Sequence, residues 1–223
     1  MSSLHIVDDH LQEYAWVHEK LKKLQTLAHQ QPQSAQDQLW QWLENLGKND
    51  DQAVLAQLFS QGIAENPCAH TIGAPIGPMR NIAGGAFISA FLKLDSPWTG
   101  KTFYSDGTGG YNRIKPYTKI PMKILAPKHG LRANRNEYFG FNFDTTTEQG
   151  AVEPKVDVIA IQYDNPIYKN PSKIIPLTRV RDELVKLLPH TYLGRATFPN
   201  KHGEYQLVGY FALKTAISTE KSA

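Results

Sequence analysis

The sequence predicts a mainly β protein, α+β overall. An antiparallel β-barrel fills residues 65–223 and follows an N-terminal segment, 1–64, of about three helices that packs on it. Two observations carry this. In the first sixty residues apolar side chains recur every three or four positions, the period of a helix with one buried face. Farther on they come in short runs rich in β-branched and aromatic residues, broken by Gly, Pro, Asn or Asp, with no helical stretch between them. Strands in that order form a meander, and a meander of this length closes into a barrel or folds into a sandwich.

The first helix spans Asp8 to Gln30, with Leu11, Tyr14, Ala15, Leu21, Leu24, Leu27 and Ala28 on its apolar face and Asp8 or Asp9 as cap; Pro32 ends it. Ser34 with Asp37 three residues later opens a second helix carrying Leu39, Trp42, Leu43 and Leu46, with Gly47 as its stop. A third starts near Asp50 or Asp51, buries Leu55, Leu58 and Phe59, and stops at Gly62. Glycines and prolines then make residues 65–85 a long loop.

Strands are expected at 86–94, 99–105, 117–126, 137–145, 155–164 and 204–214, with SDGTGGYN (105–112) a β-turn region. The last strand is apolar on both faces, with Leu207, Phe211 and Leu213 on one and Val208, Tyr210 and Ala212 on the other. One face therefore lines a barrel interior while the other is covered by the helices. VRDELVKLLPHTYLGRATF (180–198) has helical spacing in its first half, but Pro189 and the β-forming return favour a hairpin turning at 188–190. Gly194 in mid-strand marks a bulge or a close backbone approach.

Composition narrows the function. With 223 residues, 41% hydrophobic and 20% charged, the chain is neither disordered nor membrane-spanning. Its longest apolar run, 82–94, is too short for a bilayer. A net charge of +3 without a basic stripe argues against nucleic acid. An acidic N-terminus unlike a signal peptide, together with the single Cys68, fits a reducing cytoplasm. No dinucleotide or phosphate loop and no nucleophile elbow occurs, so no cofactor is expected. Cys68 and His70 are too few for a metal site, and no metal is expected either.

WTGKTF (98–103), YDNPI (163–167), YLGRA (192–196) and GYFAL (209–213) resemble, in order and spacing, lipocalin-like small barrels of the GXWXG-type domain group. The resemblance covers about the last 130 residues; Gly-x-Trp-x-Gly itself is absent, since Trp98 follows Ser96 and Pro97. It implies a calycin-type barrel enclosing a small hydrophobic or amphipathic molecule. Related barrels include carriers and some cofactor-independent isomerases and cyclases.

The residues expected at the site follow from the alternation of strands. Asp182 shares a face with Val180 and Leu184, so burial in an apolar bore would make it a general acid or base; alternatively it pairs with Arg195 across the hairpin. Glu183, His190 and Tyr163 are candidates to assist it. Trp98, Phe103, Tyr104, Phe141, Tyr192, Tyr210 and Phe211 are candidates to line the ligand. An alternative role is protein interaction through the stripes of the N-terminal helices.

Overall fold

The computed structural model describes residues 13–80, 97–118, 131–134, 136–171 and 176–217. The strands expected at 86–94 and, beyond residue 118, at 117–126 lie outside them, as does the start of the first helix. Three helices, α1 (Ala15–Gln30), α2 (Pro32–Lys48) and α3 (Gln52–Ser60), precede the strands. These are β1 (Ile72–Ile76), β2 (Trp98–Phe103), β3 (Gly109–Ile114), β4 (Arg132–Asn134), β5 (Glu137–Gln149), β6 (Asp157–Gln162), β7 (Arg181–Leu188), β8 (Thr191–Pro199) and β9 (Tyr205–Lys214). Among the described residues no helix is long and apolar enough to cross a membrane.

The strands form one antiparallel sheet in the order β1-β9-β8-β7-β6-β5-β3-β2, with β4 added beside β5. That is chain order taken round a circle. The two ends of the sheet meet where the Thr71 amide donates to the Lys101 carbonyl (2.9 Å), the Phe103 amide donates to Ala69 (3.0 Å), and His70 bridges Thr102. The result is a nearly closed up-and-down barrel. Gly100 makes the seam possible: its φ is +140°, and a Cβ there would stand 2.2 Å from the Thr71 carbonyl oxygen.

Two expected loops are strands. Residues 72–76, read as part of a long loop, pair with β9 from Ile72 opposite Lys214 to Ile76 opposite Tyr210; Pro75 sits there because β1 is a short strand at the seam. The glycines of 105–112 hide β3, where Gly109 and Gly110 allow the β5 and β2 backbones and the Phe143 ring to close in. The hairpin of β7 and β8 forms as expected, turning at Pro189 and His190. Gly194 gives a close approach: the Phe211 ring lies where a Cβ would be, 2.2 Å away.

The sheet separates two cores. Outside it, Val158, Ala160, Val185, Leu187, Leu193 and Ala212 pack against Val17, Leu21, Leu24, Leu39, Leu43, Leu55, Leu58 and Phe59 of the helices. Each such side chain contributes about 1.5–3 kcal/mol by leaving water. The helical stripes are thus spent on the sheet. Pro32 starts α2 directly, with no side-chain cap from Ser34, and Gly47 lies within α2, where a Cβ would be 2.6 Å from the Gly77 amide nitrogen; it serves contact with the end of β1, not termination. Asp51 caps α3 by accepting from the Val54 amide. Buried Gln36 ties α2 to the barrel, donating to the carbonyls of His190 (3.0 Å) and Thr215 (3.2 Å).

Inside the tube lie Phe103, Phe143, Ile159, Ile161, Tyr163, Leu184, Tyr192, Phe211 and Leu213. Phe143, Ile161, Leu184 and Leu213 are fully buried against this group, so the middle of the bore is filled by its own side chains. Among the described residues, no roomy tunnel of the kind implied by the resemblance runs through this core. At one end of the tube Trp98, Phe141, Leu177 and Val180 are only half-buried.

Candidate functional site

At that end four polar side chains converge from four strands or their flanks. Lys101 of β2 points inward because a bulge between Trp98 and Gly100 sets the register of the strand, and alternation then places Lys101 and Phe103 on one face. Its ammonium donates to Asp182 Oδ2 (2.8 Å), to Asn112 Oδ1 (3.0 Å) and to the Tyr163 hydroxyl. Tyr163 in turn donates to the same Asp182 oxygen (2.7 Å). The ammonium also lies 5.2–5.6 Å from the ring centroids of Trp98, Phe143, Tyr163 and Phe211, so a single cation fills an aromatic box.

Backbone geometry fixes the neighbours. Between Gly110 and Asn112 the β3–β5 ladder slips, and Phe141 on the bulged side adopts a φ of +53°. This presents the Phe141 carbonyl to Asn112 Nδ2 (3.0 Å). With its amide nitrogen so engaged, Asn112 turns its oxygen to Lys101 and to the Trp98 indole N–H (3.0 Å). The Trp98 ring itself lies over Gly73 and meets Phe211 edge-on.

Burial pushes the Lys101 amine below its ordinary range, and the Asp182 charge only partly offsets this. Tyr163 is held well above the ordinary phenol range, chiefly by burial and then by Asp182. An amine whose proton affinity burial lowers thus shares a carboxylate oxygen with a phenol whose proton affinity burial raises. One proton can pass among three atoms in a water-poor pocket.

The sequence candidates divide around this cluster. Asp182 and Tyr163 belong to it, with Trp98 and Phe211 in the box and Phe141 at its rim. Phe103 lies deeper, edge-on to Phe143, and Tyr192 lies in the bore, its hydroxyl pushed up to about 12 by burial. Tyr210 faces the other way, against Phe59 beneath the helices, and Tyr104 is exposed beside Tyr111. Glu183 points outward, where Arg195 Nε (2.7 Å), Arg181 Nε (3.1 Å) and the Ala151 amide all donate to it. Arg195 therefore pairs with Glu183, opposite which it stands in the register, and Asp182 pairs with Lys101 instead. His190 is exposed in the hairpin turn at the far end of the barrel, bonded to Thr215. Cys68 is exposed and His70 bonds Thr102; among the described residues no three His, Cys, Asp or Glu converge as metal ligands.

Sequence reasoning missed Lys101, Asn112 and Phe143. A signal for Lys101 was present: a lysine two positions before Phe103 on a strand shares the phenylalanine's face. Asn112 was lost with the strand that carries it. No protein-family model, curated protein or solved structure significantly matches the chain.

Proposed function

We propose that the Trp98 end of the barrel binds a small amphipathic molecule, its apolar body against Trp98, Phe141 and Phe211 and a polar group against Lys101, Asp182 and Tyr163. The observation that carries this reading is the buried Lys101–Asp182–Tyr163–Asn112 cluster inside a box of rings. Closing the barrel requires none of these polar groups, and burying a lysine costs stability that an apolar residue would not. First-to-last strand closure in chain order supports placing the chain with lipocalin-like barrels, and one exposed cysteine with no disulfide partner suits a reducing compartment such as the cytoplasm.

Naphthalene compounds bearing a carboxylate, a hydroxyl or an amine test it by calorimetric titration of the full chain. The carboxylate and hydroxyl forms bind, the amine binds least, and Lys101→Met weakens the carboxylate by at least about tenfold. No binding by any of them, together with no small molecule released on denaturing the purified protein, overturns the reading. The shared proton favours a second possibility, a cofactor-independent isomerase or cyclase with Asp182 and Tyr163 as the proton-transfer pair. Under it, Asp182→Asn abolishes turnover of the released molecule while retaining its binding.

A further inference from the structure

We infer that Lys101 is a nucleophile, and that the molecule held at this end of the barrel is an aromatic or conjugated aldehyde or ketone captured as an imine. This rests on the binding reading above and sharpens it to a substrate class. A lysine nucleophile needs three things: a proton acceptor beside the amine, a donor for the carbonyl oxygen, and an apolar slot for the rest of the carbonyl compound. All are present. Asp182 Oδ2 stands 2.8 Å from Nζ, and the Tyr163 hydroxyl touches both. Trp98 and Phe211, edge-to-face beside the amine, form an apolar wall for a flat, delocalised partner.

Lys101 and Asp182 are both buried, and the half-buried Trp98 and Val180 lie at the same end of the tube. Burial lowers the proton affinity of Nζ and so raises the share of free amine near neutrality. Asn112, its Nδ2 donating to the Phe141 carbonyl, holds the amine through Oδ1 and one N–H, and once the amine is neutral its lone pair is left for the carbonyl carbon.

The step balances without an added reagent. The Nζ lone pair forms the C–N bond while the carbonyl π electrons move onto oxygen. That oxygen takes the proton Nζ gives up, relayed through Asp182 and Tyr163. The carbinolamine hydroxyl then leaves as water with the second Nζ proton, and the C=N bond forms. One amine and one carbonyl become one imine and one water.

The test uses the full chain with limiting trans-cinnamaldehyde, reduction by borohydride and peptide mapping by mass spectrometry, and cinnamyl alcohol as a partner of similar shape without the carbonyl. The expected result is a reduced adduct on Lys101 at least about tenfold above that on any other lysine, suppressed by Tyr163→Phe and Asp182→Asn. Adducts spread over other lysines with Lys101 unmodified, while cinnamyl alcohol still binds, overturn the imine and leave the binding reading standing. Failure of both compounds to bind overturns both. Because the mapping is read on the natural sequence, the outcome does not depend on any variant folding.

Discussion

Asp182 and Glu183 are adjacent on β7, both buried, and they face opposite sides of the sheet. Glu183, under the helices, is held by two guanidiniums and a backbone amide, with the Arg195 guanidinium 4.1 Å from the Phe59 ring centroid. Guanidiniums do not give up protons, so this cluster locks strands and helices together. Asp182, in the bore, faces one ammonium whose proton affinity burial lowers and one phenol whose proton affinity burial raises. The same chemistry of charge neutralisation thus yields a clamp on one face and a reactive cluster on the other. What separates them is the partner, not the carboxylate.

Four experiments strain that contrast. Deleting residues 1–62 exposes Val158, Val185, Leu193 and Ala212 along with the Glu183 cluster, and the remaining barrel aggregates; a monomeric, cooperatively unfolding fragment in ultracentrifugation and urea melts would refute the role of the outer face. Glu183→Ala in the full chain removes the buried carboxylate shared by Arg181 and Arg195, which keep only the more exposed Glu148 and Glu153, and costs about 3 kcal/mol in urea unfolding. Lys101→Met and Asp182→Asn each cost less, about 1–3 kcal/mol, because Tyr163 still bonds the group left behind and a lone buried lysine sheds its proton. The double variant Lys101→Met/Asp182→Asn regains part of that loss, a coupling read from the four-member cycle.

The pH dependence of the same variants carries a definite sign. With its proton affinity lowered in the fold, Lys101 binds fewer protons folded than unfolded, so its contribution makes stability rise with pH up to its unfolded value near 10.5. Tyr163, raised in the fold, acts oppositely and removes stability above pH 10, together with Tyr210, pushed up to about 12. Lys101→Met therefore flattens the rise on the alkaline side of neutrality; an unchanged slope in urea midpoints would show that Lys101 does not titrate there. The smallest effect belongs to His190→Ala. It loses the Thr215 contact and places alanine at a φ of +64°, costing about 1 kcal/mol, and it leaves affinity for the naphthalene carboxylate within about twofold.

The contrast also marks what a linear reading can reach. Alternation on β7 put Asp182 and Glu183 on opposite faces, although Glu183 was still expected to assist at the site, and both faces of β9 read as apolar because both are buried. Periodicity found the helices for the same reason. Partners were harder, since the Asp182–Lys101 and Tyr163–Lys101 contacts cross 81 and 62 residues. β1 and β3 were hidden by glycine and proline, which ordinarily signal turns; here Gly73 admits the Trp98 ring, Gly110 admits Phe143, and Pro75 sits in a short strand beside the seam. Where a glycine makes room for a ring from a distant strand, local propensity points the wrong way.

The pairing of Ile72 with Lys214 has a kinetic consequence. Hairpins such as β7–β8 can zip up from a tight turn in microseconds, but the ring is sealed only when two segments far apart in the chain find one another. Closing so long a loop is entropically slow. Substitutions in β1 should consequently act on the refolding rate more than those in the β7–β8 turn, and a chain emerging from the ribosome leaves its tube unsealed until β9 has been made.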